Sequence, residues 1–465
     1  MKIYIKNKII LTSACVMFIN IFMINLAYPE EKLSFPEISD YPISLKNAMN
    51  IALKHSQNIK RIIARIEKAE AGIKAAKSAF FPKLSFYTQY TKSNDPISYL
   101  TNIARQRKLP PNADFNQPGT FDNFEIGMKF QYNLFQGGKK FYNKDVAESV
   151  LEEEYFERES VENSLLAAVI NAYYDALVAF DLIKISEESV STVETQLKLM
   201  NVRFNIGGVL KSDVLSLEVR LAEVKEGLVR SKNFHKKAIA NLSTLIGIGP
   251  EAKLTLLENE KQQIDYPKNY DEGVKIALTK RPEIKKFKEK IKQSKIGLKI
   301  SQSAYLPNLD LLATRFYDGK DMAFYEDNNN WGVYLTLNWD LFEGGKTNAE
   351  VVKAMKTTNE IMANYNHLIL QIKLDVKNAY LHIEDANARL KVTESSVISA
   401  EESYKLVKNQ YEGGSVTISR YLEAELDRNQ AKTRAIIAFY DKSKGQAEIA
   451  RALGLWGDWN DETNK

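Results

Sequence analysis

From residue 124 onward the chain alternates strictly. Phe124, Ile126, Met128, Phe130, Tyr132 and Leu134 fall on one side, and Glu125, Gly127, Lys129, Gln131 and Asn133 on the other. That is the two-residue period of a strand with one apolar face. A shorter strand precedes it in "KLSFYTQYT", with Leu84, Phe86, Thr88 and Tyr90 on one side. The pattern returns later. Trp331, Val333, Leu335, Leu337, Trp339 and Leu341 oppose Gly332, Tyr334, Thr336, Asn338 and Asp340. Strands are thus predicted at about 82–92, 122–134, 307–316 and 331–341.

Elsewhere the period is helical. Leu45, Ala48, Met49, Ala52 and Leu53 begin a pattern predicting helices over about 44–80 and 270–304, which Pro82 and Pro307 close. From Lys139 to Phe204 there is neither proline nor glycine, and Leu166, Val169, Tyr173, Leu177 and Phe180 trace one stripe. Such a helix is on the order of 100 Å long, the dress of packed, coiled-coil-like helices. A break at Gly207-Gly208, and again at Gly413-Gly414, precedes further helices at about 212–246 and 419–453.

The chain is a duplication. "YNLFQGGK" at 132–139 returns as "WDLFEGGK" at 339–346, and the same offset of 207 carries Phe204 onto Tyr411, Leu215 onto Leu422 and Glu218 onto Glu425. Upstream the offset is 225: "IALKHSQNI" (51–59) matches "IALTKRPEI" (276–284), and "SAFFPKL" (78–84) matches "SAYLPNL" (303–309). The difference of 18 residues is a longer loop in the first copy, between residues 92 and 121. The expected divisions are a repeat over 44–247, a linker over 248–269, a repeat over 270–454 and a tail over 455–465, after a leader over 1–27 and an extension over 28–43. The doubled phrase marks the junction where a strand must become a helix. Gly137 and Gly138, and Gly344 and Gly345, supply the dihedral freedom for that kink.

Composition narrows the class. Of 465 residues 26% are charged and the net charge is only +5, so a bundle of transmembrane helices and a nucleic-acid partner are both excluded. Lys2, Lys6 and Lys8 precede an apolar stretch from Ile9 to Leu26, then Ala27 and a polar segment, which reads as a secretory signal with an uncleaved anchor as the alternative. The only cysteine is Cys15, inside that leader. "LTSAC" faintly resembles a lipoprotein cleavage box, although the apolar run continues beyond it. His55, His235, His367 and His382 are scattered, neither glycine pair completes a phosphate loop at the right spacing, and no cofactor site is expected.

Strands of about ten residues with this alternation suit a bilayer as well as an ordinary half-buried sheet. Four strands cannot close a barrel, so if they meet lipid several chains must each contribute four. At this point "SAFFPKLSF", "LFQGGK", "RFNIGGVLKSDVL" and "NQYEGGSVTISRYLEAE", in this order and twice over, resemble the TolC family of outer-membrane efflux proteins. The resemblance covers about 44–454. It implies a mixed α and transmembrane β fold in a homotrimer: a twelve-stranded barrel in outer-membrane lipid, continuous with a long helical barrel in the periplasm. It implies a passive exit duct that docks on an inner-membrane pump and a periplasmic adaptor. It also implies a gate at the helical tips. Arg203, Phe204, Gly207 and Asp213 match the family pattern in copy one, and Tyr411 and Gly414 match it in copy two. Two positions of a family aspartate ring are Arg420 and Glu423, and a family latch arginine is Val416. Asp213 and Arg420 stand nine residues after Phe204 and Tyr411 respectively, and are expected to pair. The competing reading is a periplasmic coiled-coil adaptor or scaffold.

Overall fold

The computed structural model describes residues 42–112, 114–257, 265–321 and 326–456. The predicted leader with Cys15 lies outside the described residues, as do most of the 28–43 extension and of the tail. The first repeat comprises α1 (Leu45–His55), α2 (Gln57–Ser78), β1 (Lys83–Ser93), α3 (Pro96–Arg105), β2 (Phe121–Gln136), α4 (Lys139–Asn205) and α5 (Lys211–Leu245). The second comprises α6 (Tyr270–Lys280), α7 (Pro282–Gln302), β3 (Asn308–Gly319), β4 (Asn329–Asn338), α8 (Lys346–Glu412) and α9 (Ile418–Leu453). The mixed architecture expected from the sequence is what the chain adopts.

Three local expectations need correction. The opening helix of each copy is two helices, broken at Ser56 and Arg281, whose backbones are extended with ψ of 134° and 126°. In copy two Pro282 explains the break, because the residue before a proline is driven out of the helical region. In copy one the Ser56 side chain accepts from the Asn58 amide at 3.3 Å and starts the second helix instead. The long loop of copy one contains a helix, α3. The last strand ends at Asn338, so Trp339 and Leu341 lie beyond it. β2 runs to Gln136 because its pairing with β3 continues past the start of β1 as far as Asn308, and the pairing of the edge strand β4 stops at the same residue, where Asn338 meets Asn308.

The four strands form one antiparallel sheet in the order β1-β2-β3-β4. Residues directly opposite share a face, and the register aligns the alternation across the sheet. Phe86 faces Met128, Met128 faces Arg315, and Arg315 faces Trp331; Leu84, Phe130, Ala313 and Val333 form the next row. One face therefore carries Leu84, Phe86, Tyr90, Phe124, Ile126, Phe130, Leu311, Val333, Leu335 and Leu337. The other carries Gln89, Asn123, Glu125, Lys129, Gln131, Asp318, Asn330 and Thr336. A bulge between Asn133 and Phe135 puts Phe135 opposite Leu309, on the apolar face.

The helices run away from the sheet. α4 and α8 have 67 residues each, on the order of 100 Å. α5 packs along α4 and α9 along α8, α9 also meets α4, and α2 and α7 extend the bundle toward the strands. The predicted stripe on α4 is the core: Leu166, Val169, Tyr173 and Leu177 are buried with Met49, Leu242 and Ile246. Gly138 and Gly345 sit at the N-caps of α4 and α8 with φ of 81° and 84°, and Gly137 and Gly344 precede them at 58° and 61°. These four left-handed residues turn the sheet into the helices.

Candidate gate at the helical tips

Each pair of long helices ends in the same turn. In copy one the Gly207 amide donates to the Phe204 carbonyl at 2.9 Å and Gly208 to Arg203 at 2.8 Å. In copy two Gly414 donates to Tyr411 at 3.0 Å and Ser415 to Gln410 at 2.8 Å. Gly207 and Gly414 have φ of +74° and +76°, as a helix C-terminus closed by left-handed glycine requires. The next helices are capped differently. In copy one the Leu210 amide donates to the Asp213 carboxylate at 3.3 Å. In copy two the Thr417 hydroxyl accepts from the Arg420 amide at 3.4 Å. Asp213 thus serves its own helix, where a first-turn carboxylate also meets the positive end of the helix dipole.

Of the predicted gate residues, the protomer brings Arg420 and Glu423 together, at 2.7 Å between Nη1 and Oε2, with side chains 50% and 61% exposed. It does not pair Arg420 with Asp213. The reason is local: Glu423 lies three residues on from Arg420 along α9, and the helix start claims Asp213. Tyr411 is buried rather than lining open space. Its ring stacks on Tyr421 at 5.1 Å, the Tyr421 hydroxyl is 3.0 Å from that of Tyr404, and Arg428 lies 4.1 Å over the Tyr404 ring. The Arg203 guanidinium lies 6.0 Å from the centre of the Tyr411 ring. Burial pushes the Tyr411 and Tyr421 phenols up, so both stay protonated; Tyr404, hydrogen-bonded to Tyr421, adds to the shift there. The ladder packs with Val193, Met200, Val214, Leu217, Val407 and Ile418, joining all four helices at the tip.

One element was missed in the sequence. Glu425 is 0% exposed. Its Oε1 accepts from Ser189 Oγ at 2.7 Å and Asn429 Nδ2 at 2.8 Å, and Arg220 Nη2 stands 3.5 Å from Oε2. Arg428 reaches Glu188 at 3.2 Å, and Lys432 reaches Glu188 and Glu401 at 3.4 and 2.9 Å. This brace ties α9 to α4 and α5 beside a cleft of about 460 Å³ lined by Ser186, Ser189, Arg220, Glu223, Asn429 and Arg434. The repeat gave no hint of it, since the equivalent Glu218 is exposed. Among the described residues no group of three His, Cys, Asp or Glu side chains could hold a metal ion.

Comparison with known proteins agrees with this geometry. Residues 48–248 and 273–455 match the family model described as outer membrane efflux protein. The pyoverdine export outer membrane protein OpmQ of Pseudomonas aeruginosa is 22% identical over 424 residues, covering 90% of this chain and 86% of OpmQ. The alkaline protease secretion protein AprF of the same species is 22% identical over 422 residues, covering 89% and 85%. The crystal structure of the Campylobacter jejuni CmeC outer membrane channel shares the fold, with a TM-score of 0.76 at 17% identity over 91% of this chain and 90% of CmeC.

Proposed function

Because this chain belongs to the outer membrane efflux protein family, the TolC family, and is an efflux or secretion channel of the outer membrane reaching through the periplasm, we propose that it works as a homotrimeric, passive exit duct gated at its helical tips. One observation carries the trimer. The sheet has four strands, an apolar face and two free edges, at β1 and β4. In lipid an open edge leaves backbone groups unpaired, at several kcal/mol each. Three such sheets close edge to edge into twelve strands.

Arg420, Glu423 and Asp213, with the turns at Gly207 and Gly414, form the periplasmic entrance, and the buried Tyr411 packs behind them. The closed entrance opens when α8 and α9 swing away from α4 and α5, a movement driven by docking of a periplasmic adaptor and an inner-membrane pump. The chain itself spends no energy. Cargo is chosen by those partners: OpmQ is named for pyoverdine export and AprF for protease secretion, at the same 22% identity to this chain.

The test is native mass measurement of the detergent-extracted outer-membrane protein, followed by planar-bilayer recording. A conducting trimer is expected. A soluble periplasmic monomer without conductance would instead establish the scaffold reading.

A further inference from the structure

We propose that α3, resting on the trimeric assembly argued above, is one third of a stopper in the outer mouth of the channel, and that three copies meet there through an apolar stripe.

The helix is built and anchored. Asp95 caps it by accepting from the Ser98 amide at 2.7 Å, and Pro96 opens it. The buried Gln106 donates to Asn123 Oδ1 at 2.7 Å and to the Asp122 carbonyl at 3.1 Å. Asn123 in turn donates to Asn102 at 3.1 Å and to Asp318 at 2.7 Å. Arg105 stands 3.5 Å from Glu125 and 5.1 Å over the Phe316 ring, and its carbonyl accepts from Asn330 at 3.3 Å. Tyr99 packs edge-on against Phe121 at 5.8 Å.

Every one of those wall residues — Phe121, Asn123, Glu125, Phe316, Asp318 and Asn330 — lies on the polar face of the sheet. In a closed barrel whose apolar face meets lipid, that face is the lumen. The partners come from three neighbouring strands. Tyr99, Asn102 and Gln106 meet β2, Arg105 meets β2, β3 and β4, and Arg107 Nε reaches the Asp327 carbonyl at 3.4 Å in the β3–β4 turn. The helix therefore lies over β2 and β3, inside the wall.

Its far side is apolar. At 100° per residue Tyr99, Asn102 and Gln106 share the anchored face, and Ile97, Leu100 and Ala104 share the opposite one, bordered by the exposed Thr101. Ile97 is 76% exposed and Leu100 41%. A twelve-stranded barrel has a backbone radius of ~12 Å, whereas a helix with its side chains is ~10 Å thick. One helix on each third of the wall fills the lumen and brings the three stripes into contact. The same stripe from the other two copies is what covers Ile97 and Leu100.

Gln131 faces the lumen on the periplasmic side of α3, and Cys15 is the chain's only cysteine, so Gln131→Cys reports access through the mouth. The probe is a bulky, membrane-impermeant maleimide added to intact cells. With native α3 no labelling is expected; with Ile97→Asp and Leu100→Asp together, or with residues 96–108 replaced by a glycine-serine linker, labelling appears. Ile97→Cys alone should give an oxidised, disulfide-linked pair of chains. Native mass measurement on the same preparations separates the two readings. Loss of the trimer in the otherwise native protein overturns the function proposed above. An intact trimer in which Gln131→Cys is labelled equally with and without α3 overturns the stopper alone.

Discussion

Glu425→Ala tests what holds the tip shut. The carboxylate is fully buried and accepts two hydrogen bonds, at 2.7 and 2.8 Å, beside the Arg220 guanidinium. Removing one partner of a buried charge pair costs ~3–5 kcal/mol, and Arg220 keeps Glu223 at 3.2 Å, which places the loss at the low end, about 3 kcal/mol per protomer. At ~1.4 kcal/mol per tenfold change, that shifts the balance between closed and open arrangements by roughly a hundredfold per protomer. The exposed Arg420–Glu423 pair is worth only ~0.2–1 kcal/mol. Glu425→Ala should therefore raise single-channel conductance in planar bilayers well above wild type, Glu425→Gln less so, and Arg420→Ser least. Ser189→Ala combined with Glu425→Ala should add little, since both remove one interaction. The reasoning fails if Glu425→Ala conducts like wild type while Arg420→Ser opens the channel.

Three further outcomes follow from particular residues. Gly414→Val should lower the temperature at which the oligomer dissociates, because a left-handed backbone costs non-glycine residues ~1–2 kcal/mol; a Cβ there meets nothing within 4 Å, so Gly414→Asn should be much milder. Gly137→Ala should destabilise more than Gly344→Ala in thermal melts, since both have positive φ but only the Gly137 Cβ would meet the Ser303 carbonyl, at 2.6 Å. Burial alone would push the Asp375 carboxyl up, yet hydrogen bonds from Arg451 and Arg281 outweigh it and hold it below its ordinary range. That pair stabilises the fold above the unfolded carboxyl value and is lost as pH falls through the folded one. Asp375→Asn should accordingly flatten the fall in melting temperature below about pH 4.

Much of the fold was legible because two periods, 2.0 and 3.6, and two offsets, 207 and 225, are written directly in the order of residues. What was not legible shares one physical cause. α3 sits in the 18-residue excess of copy one, which has no second copy to reveal it, and its apolar stripe is only three residues wide. The Asp213–Arg420 pair was inferred from equivalence between repeats, but each side chain is within reach of a nearer partner on its own helix. Glu425 went unseen because its equivalent, Glu218, meets solvent. Periodicity shows which face of a helix is apolar and says nothing of which helices that face will touch.

That asymmetry bears on which half of the tip moves. Where copy two has Tyr404, Tyr421, Arg428 and Asn429, copy one has Leu197, Val214, Leu221 and Ala222. The turns are alike, yet the contacts on either side of them differ in their share of buried polar groups. At the tip α5 is held to α4 by Val214, Leu217 and Val224 packed with Val193 and Met200, with the exposed pairs Lys225–Glu194 and Lys232–Glu187 farther along, and parting them would expose apolar area at ~25 cal/mol per Å². α9 shares that cluster through Ile418, Tyr421 and Ala424 but is also held by hydroxyls, guanidinium groups and one buried carboxylate, and each of those polar contacts can exchange its protein partner for water at little net cost once the joint opens. A joint made of directional, replaceable contacts has two usable arrangements; one made of packed aliphatic side chains has one. Under the gating proposed above, the movement is assigned to α8 and α9, with α4 and α5 as the frame, because the second copy carries the replaceable polar contacts that the first copy lacks at Leu197, Val214, Leu221 and Ala222.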